Sequence, residues 1–153
     1  MEKIPIGSDH AGFKIKKELV EYLKELGYEP EDVGTNSPES ADYPDYARVV
    51  AEKVSSGERK RGVLICGTGI GMSITANKFP GVRAALCMNE YMAKVARSHN
   101  DSNILALGGR VLDEDQARAI LKKWLETKFE GGRHARRLAK ITSLEKNVNV
   151  SDK

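Results

Sequence analysis

Five short apolar runs, at residues 4–7, 31–34, 62–66, 84–87 and 104–108, alternate along the chain with longer amphipathic segments. Segment 14–26 carries Ile15, Leu19, Val20, Leu23 and Leu26, and segment 43–55 carries Tyr46, Ala47, Val50 and Val54. That spacing puts the apolar residues on one face of a helix. Segments 90–97 and 114–127 also read as helices. Strands alternating with helices imply βαβ units, hence a parallel sheet covered on both faces. The expected fold is α/β: a three-layer α/β/α sandwich with a Rossmann-like, five-stranded parallel sheet and an added C-terminal helix. Sheets of this kind bind ligands beyond the C-terminal ends of their strands, near a switch in strand order.

A chain of 153 residues suits one domain with a substantial core, and no linker divides it. Gly131-Gly132 breaks the pattern and introduces a basic helix over 133–146. Residues 1–146 are therefore expected to form one domain, with a polar tail at 147–153 that frays. Lys plus Arg is 25 against 22 for Asp plus Glu, and the net charge of +3 is too slight to imply nucleic acid or a membrane surface. No run approaches the ~18 apolar residues of a membrane span, and the start lacks an export signal. Cys66 and Cys87 then read as two free thiols of a cytoplasmic protein.

The chemistry concentrates in residues 62–78. An apolar run ends at Cys66, passes Gly67, Thr68, Gly69, Ile70 and Gly71, and then turns helical. A thiol therefore stands at the end of a buried strand, beside a loop whose backbone N–H groups can face a ligand. Such surroundings favour a thiolate. Cys87 lacks them and reads as core.

Other polar clusters are expected on the same rim of the sheet. Ser8-Asp9-His10-Ala11-Gly12 follows the first strand, and Gly108-Gly109-Arg110 follows the fifth. The helix after the fourth strand ends in Ser98-His99-Asn100. The last helix adds Arg133, His134 and Arg137, at spacings that share a helix face. All three histidines fall in these clusters. Each element has a plainer reading: Cys66 as a small core residue, Asp9 as a helix cap, His99 as a partner for helix-end carbonyls. Arg133, Arg136, Arg137 and Lys140 could form a solvated face.

These groups restrict the reaction. No His, Cys and carboxylate set has the spacing of a zinc site, so no metal is expected. The glycines read G-x-G-x-G instead of the dinucleotide G-x-G-x-x-G, and Leu86 and Cys87 stand where a ribose-binding acid would be needed. A cofactor-free reaction on a small anion fits better. A thiolate can take a proton from carbon next to a carbonyl while backbone N–H groups hold the enediolate oxygen. Arginines and a histidine would clamp a phosphate.

Gly7-Ser8-Asp9-His10-Ala11-Gly12, Asp42-Tyr43-Pro44-Asp45, the segment from Cys66 to Ser73, Ala76-Asn77-Lys78, Arg97-Ser98-His99-Asn100 and Gly131-Gly132-Arg133-His134 together resemble the type B ribose-5-phosphate isomerases. These are grouped with the galactose-6-phosphate isomerase subunits. The resemblance runs over 4–141 and implies a cofactor-free aldose–ketose isomerase acting through a cis-enediol. It gives Cys66 the role of base; one branch of the family has a glutamate base where Met72 stands here. It gives the backbone of Gly67, Gly69, Ile70 and Gly71, with Asn100, the enediolate. His99 would open the furanose ring, with Thr68 and Asp9 near the sugar hydroxyls. His10, Arg110, Arg133 and Arg137 would bind phosphate, with His134 close by. The resemblance also implies a homodimer, or a dimer of dimers, that shares its site across the interface.

Three alternatives stay open at this point. A six-carbon substrate such as allose or galactose 6-phosphate uses the same chemistry. A non-catalytic phosphate- or nucleotide-binding module would use only the anion donors. A cysteine hydrolase would use Cys66 as a nucleophile.

Overall fold

Every residue of the third and fifth strands is buried, as expected where helices cover both faces of a sheet. In the computed structural model, which describes residues 1–151 and the side chains of 1–147, the strands are β1 (Lys3–Ser8), β2 (Glu29–Asp32), β3 (Gly62–Cys66), β4 (Ala84–Leu86) and β5 (Ile104–Gly108). The helices are α1 (Phe13–Glu25), α2 (Tyr43–Ser55), α3 (Ile70–Ala76), α4 (Glu90–Ser98), α5 (Glu114–Glu126) and α6 (Arg133–Ser151), with a 3₁₀ turn at His10–Gly12. The strands form one parallel sheet in the order β2-β1-β3-β5-β4. The chain leaves β1 in one direction to make β2 and in the other to make β3, so the switch point lies between β1 and β3.

Strand alternation divides the core. Ile4, Ile6, Val63, Ile65, Leu105 and Leu107 pack against α1, α4 and α5. Leu64, Cys66 and Ile104 face α2 and α3 on the other side. The Cys66 thiol thus belongs to the α2/α3 face. Trp124 is fully buried in the first cluster, and its indole N–H donates to Ser102 Oγ at 2.7 Å.

Most element boundaries agree with the sequence reading to within one residue, and two elements differ by more. The second strand was expected at 31–34, where Val33 is the apolar residue, but the ladder begins at Glu29. It is an edge strand with a polar sequence, and Pro30 is tolerated there because an edge needs fewer donors. Backbone bonds from Val33 N to Ile6 O and from Ser8 N to Gly34 O then prolong the pairing past Asp32. The last helix continues past residue 146 to Ser151; no Gly or Pro lies in 147–151 to stop it. Residues 152–153 of the expected tail lie outside the described residues. Among those described, no helix is long and apolar enough to cross a membrane.

Gly12 sets the distance between the first turn and the sheet. A methyl group there would lie 2.5 Å from the Ile65 carbonyl oxygen, which belongs to backbone and cannot swing aside. Gly12→Ala should lower stability by about 1–3 kcal/mol, the usual cost of overpacking. A urea titration checks it, and an unchanged midpoint would mean that the turn shifts without cost.

Candidate active site

The C-terminal ends of β1, β3 and β5 are stitched together by backbone bonds. Asp9 N–H donates to Ile65 O at 3.3 Å, Gly109 N–H to Cys66 O at 2.7 Å and Arg110 N–H to Gly67 O at 2.9 Å. This brings the loops after the three strands to one place at the switch point. Cys66 is 5% exposed, and its Sγ accepts the Gly69 N–H at 3.2 Å. Gly69 has φ 82, a left-handed conformation that suits glycine, and it starts α3 without a side-chain cap. Thr68 Oγ1 accepts the Ile70 N–H at 3.2 Å. The N–H groups of Gly67, Thr68 and Gly71 have no hydrogen-bond partner among the described residues.

Asp9 does cap the first turn: its Oδ1 accepts from Ala11 N at 3.0 Å and Gly12 N at 3.1 Å. The same cap fixes its buried carboxylate beside the strand end, so the plain reading does not exclude the functional one. His10 Nδ1 accepts the Ala41 N–H at 3.0 Å. The same Nδ1 lies 3.3 Å from Ala41 O, so the Ala41 backbone holds this side of the ring in either tautomer and leaves Nε2 out of the contact. Arg110 lies along Gly67, where a methyl group would stand 3.5 Å from its Cδ and 3.6 Å from Nη1.

The sequence reading left out Tyr43 as a site residue. Its ring lies over Gly71, where a Cβ would come too close to fit, and it is half exposed at the start of α2. Its signal was the Asp42-Tyr43-Pro44-Asp45 motif, together with a position after the second strand.

A second cluster sits elsewhere. The chain runs up β4 and back down α4 to re-enter the sheet at β5, so the end of α4 lies at the N-terminal rim. Asn103, four residues after His99, bonds there to Arg83 and Gly62. Glu130 N–H donates to Ser98 O at 3.0 Å, which places the start of α6 at the same rim. The expectation of a single rim is therefore corrected for His99, Asn100, Arg133, His134 and Arg137. At about 3.3 Å per residue, β3 alone separates the two clusters by roughly 15 Å. Parallel topology causes this: each helix must return the chain to the opposite end of the sheet.

In this second cluster the rings of His99 and His134 stack, with centroids 4.2 Å apart and planes 13° from parallel. Glu130 Oε1 lies 3.7 Å from His134 Nε2. Ligand atoms of His99, Glu130 and His134 come within 4.8 Å of one another, a grouping that sequence spacing did not reveal. Stacked imidazoles point their lone pairs along parallel planes instead of at one centre, so this arrangement does not suit a cation. Arg133, Arg137 and Asn100 are exposed beside it.

A cavity of about 670 Å³ also opens at the N-terminal rim, lined by Arg61, Arg83, Arg97 and Thr127 among others. Its arginines are already engaged. Arg61 pairs with Glu2 and Leu125 O, while Arg83 and Arg97 share Asp101. This cavity is a seam of structural ion pairs.

Burial pushes the Cys87 thiol up to about 12, in keeping with a core residue. Burial, the facing His99 ring and Arg133 hold the His134 imidazole below its ordinary value of 6.5, against the opposing pull of Glu130.

Comparison with known proteins agrees with this fold. The ribose/galactose isomerase family model matches residues 4–141. Ribose-5-phosphate isomerase B of Escherichia coli is 50% identical over 149 residues, covering 97% of this chain and 100% of that protein. The structure of Clostridium thermocellum ribose-5-phosphate isomerase B is 56% identical with a TM-score of 0.93, covering 95% of this chain and 99% of that one. The Mycoplasma genitalium enzyme, solved with bound ribulose 5-phosphate, is 42% identical with a TM-score of 0.91, covering 94% and 96%. The chain belongs to the ribose/galactose isomerase family.

The unfolded chain protonates His134 near pH 6.5, before the folded chain does. Its contribution to stability is therefore complete above that pH and declines as acid is added. Melting temperatures from pH 7 to 5 should fall more steeply for the wild type than for His134→Phe. Parallel curves would remove His134 from the pH dependence.

Proposed function

We propose that the chain is a cofactor-free isomerase interconverting ribose 5-phosphate and ribulose 5-phosphate through a cis-enediolate. The observation that carries this reading is the buried Cys66 thiol at the switch point, beside unpartnered backbone N–H groups and two anion donors, His10 and Arg110. Membership of the family and the named activity of its relatives support the same substrate.

With the furanose ring open, the Cys66 thiolate takes the proton from C2 of the aldose and returns it to C1, while the proton of the C2 hydroxyl passes to the C1 oxygen. The oxygen that becomes negative meets the N–H groups of Gly67 and Gly71, while those of Gly69 and Ile70 serve Sγ and Thr68. Preorganised donors of this kind stabilise charge as it forms. Asp9, Thr68 and Tyr43 border the sugar. Phosphate is held by His10 and Arg110 with Arg133 and Arg137.

His99, Asn100 and the two α6 arginines cannot reach Cys66 of their own chain, so they serve the site of a second copy. Exposed apolar side chains on α3, α4 and α6 support a homodimer: Ile70, Ile74, Tyr91, Ile141 and Leu144 are 52%, 58%, 73%, 52% and 65% exposed. A surface of that kind is what a partner covers. His99 then opens the furanose, moving a proton between the C1 hydroxyl and the ring oxygen.

Cys66→Ala should bind sugar phosphate yet lose isomerisation by at least about a hundredfold, as for loss of a general base. Calorimetry and turnover measure the two, with solvent deuterium entering C1 or C2 as the signature in the wild type. Full activity in the variant would remove Cys66 as base. Subunit mixing checks the shared site. Cys66→Ala and His99→Ala are each impaired, but an exchanged mixture should recover about a quarter of wild-type activity, because half the dimers hold one intact site. No gain over the separate variants would place both residues in one chain's site.

A further inference from the structure

His99 stands at the C-terminal cap of α4, half exposed, and its ring makes no hydrogen bond to any described residue. A histidine in that position would turn about its side-chain torsions between several rotamers. What holds it is the His134 ring, stacked at 4.2 Å. His134 is buried at 6% exposure although its own ring forms no hydrogen bond, only the 3.7 Å approach of Glu130. Its nitrogens keep contact with solvent, since Ser8 Oγ is the one buried side-chain polar atom without a partner among the described residues. What the burial covers is the face of the ring, against His99. The backbone reinforces the pair. Glu130 N–H is tied to Ser98 O, and His134 N–H to Gly131 O, so the start of α6 is strapped to the end of α4.

We propose that His134 is a positioning residue for ring opening, its stacked ring fixing the plane of the His99 imidazole that meets the sugar. The inference rests on the isomerase reading above. Proton transfer needs the imidazole nitrogen within hydrogen-bond reach of the sugar oxygen, and a misplacement of 1 Å can cost about a hundredfold in rate. A cofacial neighbour sets the ring plane without occupying either nitrogen, which leaves both for proton exchange. A hydrogen-bonding neighbour would occupy one of them.

The test compares His134→Ala and His134→Phe in the full-length protein, with melting temperatures to show that both fold. Two reactions are followed. Turnover of ribose 5-phosphate requires ring opening. Exchange of solvent deuterium into C1 of ribulose 5-phosphate requires only enolisation, because phosphate blocks the C5 oxygen of this ketose and keeps it open. His134→Ala should lower kcat on ribose 5-phosphate by about tenfold or more, with KM within about twofold and exchange close to wild type. His134→Phe, which keeps the stack, should recover most of the lost turnover. A raised KM at unchanged kcat would make His134 a phosphate ligand. Equal loss of turnover and exchange would make it merely structural. Phe as slow as Ala would show that stacking is not the cause. Each of these three results overturns the proposal. A wild type that turns over no ribose 5-phosphate would instead overturn the isomerase reading.

Discussion

Backbone hydrogen bonds between the ends of β1, β3 and β5 hold the rest of the site in register. They run from Asp9 to Ile65, from Gly109 to Cys66 and from Arg110 to Gly67. Each contributes only about 1 kcal/mol net, but together they fix three loops that otherwise share no element. Side chains could not do this at the same separation: at Gly12 a single methyl group would meet the Ile65 carbonyl. The thiol, its neighbouring N–H groups and the Asp9 carboxylate are thus positioned by main chain, which does not change rotamer. The proposed reaction would gain from that rigidity, because a base and oxyanion donors must hold one geometry through two successive transfers.

The same parallel topology that builds this half-site keeps the second half away. A helix following a strand ends at the other rim, so the end of α4 and the start of α6 hold His99 and His134 far from Cys66 of the same chain. In the proposed homodimer, two copies about a two-fold axis would resolve the conflict, each supplying what the other lacks. Such an arrangement would also account for α6, whose Ile141 and Leu144 are exposed and whose single buried described side chain is His134.

Much of the architecture was legible in the sequence because the periodicity was clean. Strands β3 and β5 and helix α2 match their expected spans, since buried apolar runs and a Pro44 start mark them sharply. β2 was displaced because an edge strand of Glu, Pro and Asp has no apolar signal. Cys66, Thr68, Asp9, His10 and Arg110 lie at the C-terminal rim of the sheet, as their positions after strands imply. Tyr43 escaped because an aromatic at the first turn of a helix looks like any other half-buried residue. Glu130 escaped because a carboxylate before a helix has no local mark of its stacked neighbours.

Local pattern in the sequence was sufficient for the layers, the sheet, the strand that ends in a thiol and the glycine loop beside it. Those features depend on hydrophobic periodicity and on residue types within a few positions of one another. Which rim each cluster occupies depended on chain direction through the whole sheet. The pairing of His99 with His134, 35 positions apart in the chain, came from the return of α6 to the end of α4. Only the tertiary structure decided these, because contacts between distant segments are set by how the helices pack on the sheet, and no local pattern encodes that packing.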